Sequence, residues 1–221
     1  MRITSLLASS VLSILMMTSC TKDEEPTTGF EMRIDIDKSV ANYRSSGDLQ
    51  FTDGFITIRE VVFDGDLVGG NSVSITHSKV VTFDFATGLG DPADQVIEIP
   101  AGEYRDIYLG IELQDVNVDP TLVLEGTYEK EDGNVYPIRF EFNSGEVFEA
   151  EATSAVINPG TTAISKITFD PHAWFANVSF ESLENSIVDA NGVIVISESS
   201  NSAIFDVVAD GLDMSTDAVF Q

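Results

Sequence analysis

The sequence predicts an all-β fold with one short helix near the C-terminus. Its body consists of short segments rich in Val, Ile and Phe, residue types that favour pleated surfaces. Turn-forming Gly, Pro, Asp and Asn residues separate these segments at short intervals. The spacing of about 3.6 residues that a helix imposes on apolar positions is not sustained until after residue 200.

The first predicted strand begins at Phe30, where apolar residues alternate with charged ones up to Ile36. This period of two indicates a strand with one buried face. A second and stronger strand is predicted at 55–63, ended by a turn at Asp64-Gly65. Further strands are predicted at 72–77, 79–85, 121–129, 135–142, 147–153, 162–169 and 192–196, with a turn at 131–134.

A hairpin is predicted in the middle of the chain, with strands at 96–99 and 104–113. Pro100 presets the first corner of a tight turn, and Gly102 suits its exit. In the outgoing strand one face is apolar and is predicted to enter the core, whereas Tyr108, Gly110 and Glu112 fall on the other face. The predicted core residues of this strand are Ile107, Leu109, Ile111 and Leu113.

The predicted helix lies near the C-terminus, where apolar residues recur at helical intervals from Ala203 to Leu212. Ser200 or Ser202 is placed to cap its start, and Gly211 lies near its end. We expect this helix to cover one open end of the core.

The N-terminus has the pattern of a secretory signal peptide, assigned to residues 1–19. A basic start at Met1 and Arg2 is followed by the apolar segment 3–17. A membrane span is disfavoured because it needs about 20 predominantly apolar residues, and this segment is short and diluted by serines.

The end of that segment, Met17-Thr18-Ser19-Cys20, resembles the lipobox of bacterial lipoproteins. The resemblance implies that the Cys20 thiol receives a diacylglyceryl group and becomes the mature N-terminus. Met17 departs from the pattern, which more often has Leu. The alternative is an incidental thiol beside an ordinary cleavage site. Acyl chains would anchor the protein without a transmembrane helix, and the single cysteine excludes a disulfide within the chain.

The next residues, Lys22-Asp23-Glu24-Glu25, resemble the export signal of Bacteroidetes lipoproteins. That resemblance implies a lipid-anchored protein on the outer face of the outer membrane, and the alternative is a solvated charged spacer. Residues 20–29 are interpreted as an acylated tether that spans at most about 35 Å. Residues 30–221 are interpreted as a single domain.

Segments of the domain resemble an uncharacterised family of bacterial secreted and lipoprotein domains. The matching segments are Ile56-Thr57-Ile58-Arg59-Glu60-Val61, Val81-Thr82-Phe83-Asp84-Phe85, Ile99-Pro100-Ala101-Gly102-Glu103-Tyr104 and Ile167-Thr168-Phe169-Asp170. The resemblance implies an antiparallel β-sandwich of the prealbumin-like, Greek-key type. It supplies no catalytic residues.

The net charge of −26 restricts the partners of the protein. Nucleic acid is excluded because binding to its phosphates depends on clustered Lys and Arg. Direct adsorption to anionic lipid is disfavoured for the same reason, so contact with the membrane is expected only through the lipid anchor. Cations, basic proteins and glycans remain open as ligands.

The sequence contains no recognisable catalytic motif, and we therefore predict a binding, structural or adhesive module and not an enzyme. There is no Gly-x-Ser-x-Gly elbow, His-Glu-x-x-His zinc motif or phosphate-binding glycine loop. A hydrolase with a carboxylate pair drawn from distant strands is the less favoured alternative, because such a pair cannot be found by spacing.

Calcium is the one cofactor that the sequence leaves open. Asp115, Asn117 and Asp119 place three oxygen-bearing side chains at alternate positions, like the start of a calcium loop. Pro120 stands where an EF-hand needs glycine, and Gly126 stands where it needs a bidentate Glu. In a straight strand Asp115 and Asp119 would be about 13 Å apart, so only a curled loop could let them share one ion. The alternative is a solvated strand end.

Aromatic residues supply the candidate ligand-binding site. Trp174, the only tryptophan, could stack on a sugar beside Phe175, Tyr104 or Tyr108. The alternative for Trp174 is a partly buried core anchor. His77 and His172 are far apart in sequence and are interpreted as ordinary strand or turn residues, not as metal ligands.

Overall fold

A computed structural model describes residues 28–42, 48–93, 95–212 and 216–221. The predicted signal peptide at 1–19, the predicted lipid-attachment residue Cys20 and the predicted export signal at 22–25 lie outside these residues.

Strands account for 57% of the described residues and helices for 10%, which confirms the all-β class. The elements are β1 (Gly29–Ile36), β2 (Ala41–Asn42), β3 (Asp48–Leu67), β4 (Ser72–Asp84), β5 (Leu89–Asp91), β6 (Val96–Glu98), β7 (Gly102–Leu113), β8 (Leu122–Glu129), β9 (Val135–Phe142), β10 (Val147–Ile157), β11 (Thr162–Phe169), α1 (Pro171–Phe175), α2 (Phe180–Glu184), β12 (Ile194–Ile196), α3 (Ser202–Ala209) and β13 (Thr216–Phe220).

The strands form two packed layers, as predicted for a sandwich. The first layer has the strand order β12-β9-β8-β3-β7-β10, and β4 and β5 continue this layer from the opposite edge of β3. The second layer has the order β13-β11-β1-β6. Strand β13 also pairs with β10 of the first layer. The ring of Phe30 in β1 lies 5.7 Å from that of Phe63 in β3, and the ring of Phe148 in β10 lies 5.0 Å from that of Phe169 in β11, between centroids. These contacts form the core between the layers.

Strand β3 organises the first layer because it pairs with three long strands. Its first half pairs with β8, its second half pairs with β7, and β4 follows the opposite edge. The predicted turn at Asp64-Gly65 is wrong, since β3 continues through it to Leu67. Gly65 is needed there for packing: a Cβ at this position would lie 3.0 Å from the ring of Phe63 and 3.1 Å from that of Tyr104.

The predicted hairpin at 96–113 is also wrong, although both of its strands exist. Strand β6 pairs with β1, and β7 pairs with β3 and β10, so the two strands belong to different layers. Pro100 lies in the connection between the layers, where its carbonyl accepts a hydrogen bond of 2.8 Å from the Tyr104 hydroxyl. The predicted core face of β7 is confirmed, since Ile107, Leu109, Ile111 and Leu113 are all buried.

The sandwich is mainly but not wholly antiparallel. Three strand pairs are parallel, namely β1 with β11, β10 with β13 and β9 with β12. The expectation of antiparallel strands fails at these pairs because alternation of side chains reports which face is buried and not the direction of the neighbouring strand.

The predicted C-terminal helix is α3, but its cap differs from the prediction. Its N-cap is Asn201, which has φ +50° and makes no side-chain cap hydrogen bond. The Asn201 side chain instead holds two neighbouring segments: Oδ1 accepts from the Ile187 amide at 2.7 Å, and Nδ2 donates to the Val195 carbonyl at 2.7 Å. These longer-range bonds take the place of a local Ser cap.

Helices α1 and α3 pack against β3 and β9 of the first layer. Phe175 of α1 lies 5.0 Å from Phe51 of β3, and Phe205 of α3 lies 5.9 Å from Phe140 of β9, between ring centroids. The sequence predicted an aromatic turn where α1 forms. Asp170 starts this helix by accepting hydrogen bonds from the amides of His172 and Ala173.

Helix α2 and strands β2, β5 and β13 were not predicted. Among the described residues, no helix is long and apolar enough to cross a membrane.

Candidate functional site

The predicted sugar platform at Trp174 and Phe175 lies inside the core. Trp174 is 3% exposed and Phe175 is fully buried. The Trp174 ring packs 5.8 Å from Phe148 and 5.6 Å from Phe169, between centroids. Neither ring offers a face to a ligand, so the stacking hypothesis is wrong for these two residues. The structure agrees with the alternative interpretation of Trp174 as a core anchor.

Tyr104 and Tyr108 both lie on β7 but have different surroundings. Tyr104 is fully buried, and its ring lies 5.3 Å from that of Phe63 in β3, between centroids. Tyr108 is half-buried on the outer face of the sheet, where its ring lies along the strand over Gly110. A Cβ at position 110 would lie 3.4 Å from the Tyr108 ring, so the glycine leaves the ring room to lie flat on the backbone.

Carboxylates surround Tyr108 on the outer face. Asp64 of β3 and Glu151 of β10 are its cross-strand neighbours. Its hydroxyl donates a hydrogen bond of 3.1 Å to Oε1 of Glu149. Burial, this hydrogen bond and the negative charges of the three carboxylates raise the pKa of the Tyr108 phenol above its usual value. This shift favours the protonated phenol, the form that donates the hydrogen bond to Glu149.

A surface groove of about 540 Å³ opens beside Tyr108. We call it the Tyr108 groove. Asp106, which lines the groove, has φ +52°. Its neighbours Arg105 and Ile107 pair regularly with β10. The residues that line the groove are Asp106, Ile107, Tyr108, Glu151, Ala152, Thr153, Ala218 and Val219.

The groove combines an aromatic ring with carboxylates. A ring attracts a cation through its quadrupole, and neighbouring carboxylates add Coulomb attraction. The arrangement therefore suits an ammonium or guanidinium group.

The sequence identified Tyr108 but not its acidic partners. Glu149 and Glu151 alternate with apolar residues in the predicted strand 147–153, which placed both on one polar face. Asp64 was assigned to a turn, so its position beside Tyr108 could not be inferred. Knowledge of the strand pairs would have been needed to bring these three carboxylates together.

The predicted calcium residues lie in a curved loop between β7 and β8, with consecutive bends at 116–119. Oδ1 of Asn117 accepts a hydrogen bond of 2.9 Å from the Asp119 amide, and the Asn117 carbonyl accepts one of 2.7 Å from Nδ2 of Asn143. In the described ranges no group of three or more His, Cys, Asp and Glu side chains could hold a metal ion. The calcium site at Asp115, Asn117 and Asp119 stays a prediction.

The two histidines lie in separate places. His77 is in β4, where its Nε2 atom is buried. Nε2 of His172 donates to the Ser39 carbonyl at 2.9 Å and so ties α1 to the segment after β1.

Comparison with known proteins supplies no relative. No protein-family model, curated protein or solved structure matches this chain. The resemblance to a prealbumin-like lipoprotein family therefore stays a prediction, and the case for function rests on the residues themselves.

Proposed function

We propose that the protein is a lipoprotein anchored to the outer face of the outer membrane through Cys20, and that its acidic sandwich is a binding or adhesive module. The observation that carries this proposal is the sequence Met17-Thr18-Ser19-Cys20 followed at once by Lys22-Asp23-Glu24-Glu25. A lipid on Cys20 would hold the domain to the membrane without a spanning helix.

The start of the described structure supports a short tether. Oγ1 of Thr28 accepts a hydrogen bond of 2.8 Å from the Gly160 amide, and Gly29 begins β1. Because Thr28 is already tied to the sandwich, the segment from Cys20 to Thr28 can span at most about 30 Å. Anchored in this way, the domain stays close to the membrane.

The Tyr108 groove is where we expect a ligand to bind, and the net charge favours a basic one. Asp64, Glu149 and Glu151 surround the ring, and the whole chain carries a charge of −26. A polypeptide segment that presents Lys or Arg would gain both cation–π and Coulomb attraction. A neutral glycan, the alternative ligand, could stack on the ring but would gain nothing from the negative potential.

Acylation can be tested with a radioactive or clickable fatty-acid tracer in cells that express the full chain. The wild-type protein should be labelled, and Cys20→Ala should abolish the label and release or misprocess the protein. Thr21→Ala, one residue away, is the matched control and should be labelled like the wild type. Labelling of the Cys20→Ala variant would contradict the proposed anchor.

A further inference from the structure

Strand β4 has one edge that is only partly paired. Strand β3 pairs with it from Ser72 to Asp84, but on the opposite edge β5 covers only Thr82 to Asp84. In the parts of the chain that the structure describes, no other strand pairs with that edge. A free edge presents backbone N–H and C=O groups that can extend the sheet with a strand from another molecule.

This edge lacks the features that usually prevent such pairing. Proteins protect edges with charged side chains, proline or bulges. Although the chain has 37 acidic residues, none lies between Asp66 and Asp84, and there is no proline in that interval. The first Lys or Arg of β4 is Lys79, where the register with β3 shifts. From Ser72 to Ser78 the pairing with β3 is regular, so seven residues form an uncharged and uninterrupted edge.

Two carboxylates that contact the side chains of this segment belong to β3, one strand further back. Oδ1 of Asp66 accepts a hydrogen bond of 2.5 Å from the Ser72 hydroxyl, and Oε2 of Glu60 accepts one of 2.6 Å from the Ser78 hydroxyl. Serine side chains of β4 therefore stand between these charges and a molecule that approaches the edge.

The two faces of the segment also suit an added strand. Ser72, Ser74, Thr76 and Ser78 are exposed on the outer face. Val73 and Ile75 point to the inner face, pack against the core and remain half-exposed. A neighbouring strand with apolar residues on the same face would cover the exposed part of Val73 and Ile75.

We propose that the occupant is a second copy of this chain, paired antiparallel through β4 about a twofold axis at Ile75. The segment is self-complementary in this register: Ile75 faces itself, Val73 faces His77, Ser74 faces Thr76 and Ser72 faces Ser78. No like charges are opposed. For a molecule with a net charge of −26, contact between two copies is least repulsive where carboxylates are absent. The inference does not depend on the lipid anchor or on the ligand of the Tyr108 groove.

A charge exchange across the twofold axis tests the proposal. Two forms of the full chain with different tags are co-expressed, extracted in detergent and captured through one tag. One variant carries Ser74→Lys with Thr76→Lys, and the other carries Ser74→Glu with Thr76→Glu. When two copies of the same variant pair, like charges face each other across the axis. When the two variants pair with one another, opposite charges face each other. Ser154→Lys with Val156→Lys is the matched control, because it adds the same charges two residues apart on the exposed face of β10.

Wild-type copies should co-purify, and so should copies of the β10 control. Co-purification should fall to background when both copies carry the Lys pair or both carry the Glu pair, and it should return when the two variants are mixed. Recovery in the mixture would also show that both variants fold. The proposal is overturned if wild-type copies do not co-purify, if the Lys pair has no effect, or if mixing the two variants restores nothing.

Discussion

The hydroxyl of Tyr108 donates a hydrogen bond to Glu149 across the β7–β10 pair, and the Tyr108 ring lies over Gly110 of its own strand. These two contacts fix an aromatic ring on the outer face of an acidic sheet. A ring that is already held in place would reduce the entropy cost of binding the proposed cationic ligand.

Replacement of Tyr108 should weaken binding of a basic peptide. With an arginine-rich peptide as probe, Tyr108→Ala should cost about 1 kcal/mol, roughly a fivefold rise in Kd, because the cation–π contact is lost. Tyr108→Phe keeps the ring and should retain most of the affinity. Isothermal titration calorimetry at low and high salt would measure both effects, and affinity should fall with salt. Equal loss in the Ala and Phe variants would show that the ring face is not what binds.

Removal of the Trp174 ring should destabilise the fold strongly. Trp174 is buried against Phe148 and Phe169, so Trp174→Ala should lower the free energy of unfolding by about 3–5 kcal/mol. Val118→Ala is the control, since Val118 is 93% exposed and its truncation should change stability by less than about 0.5 kcal/mol. Urea denaturation followed by circular dichroism measures both. A small effect at Trp174 would place this residue outside the core.

Gly54 and Gly133 differ in how closely a neighbouring strand approaches them. Both have positive φ, +128° and +78°, but a Cβ at Gly54 would lie 2.0 Å from the Val123 carbonyl oxygen, whereas a Cβ at Gly133 meets nothing within 4 Å. Gly133→Ala should cost about 1 kcal/mol from conformational strain alone. Gly54→Ala should cost about 3 kcal/mol or more, because strand β8 must also shift. Equal losses of unfolding free energy would argue against the close approach of β3 and β8 at this point.

The free energy of unfolding should fall at alkaline pH because the Tyr104 phenol loses its proton there. Burial raises the pKa of its phenol above the usual value, and the protonated hydroxyl donates to the Pro100 carbonyl. The folded state therefore holds this proton more tightly than the unfolded state. The resulting stabilisation is complete below the unfolded pKa of about 10 and is lost as pH rises through the folded pKa. Tyr104→Phe should make the unfolding free energy less dependent on pH in this range, and an unchanged slope would contradict the assignment.

Local pattern was sufficient to predict much of the fold. Strands β9 and β11 begin and end where alternation predicted, because each has one buried face. The turn at 131–134 joins β8 to β9 as expected, with Gly133 at positive φ. The apolar face of β7 was predicted for the same reason.

Features that depend on distant partners could not be predicted in the same way. Asp64-Gly65 has the composition of a turn, yet pairing with β4 and β7 keeps both residues in β3. Pro100 and Gly102 have the composition of a hairpin turn, but the strands on either side find partners in different layers. The candidate site also depends on distant partners, because Tyr108 meets its carboxylates only through the pairing of β7 with β3 and β10.

The central claim, a lipoprotein exposed at the cell surface, is tested most directly by the access of an added protease to the protein on intact cells. The wild-type protein should be digested on whole cells. A variant with Asp23→Ala, Glu24→Ala and Glu25→Ala should still be acylated but should be protected until the cells are broken. Thr21→Ala with Thr27→Ala is the control for change in the tether and should be digested like the wild type. Protection of the wild type, or unchanged digestion of the triple variant, would contradict the account of surface export.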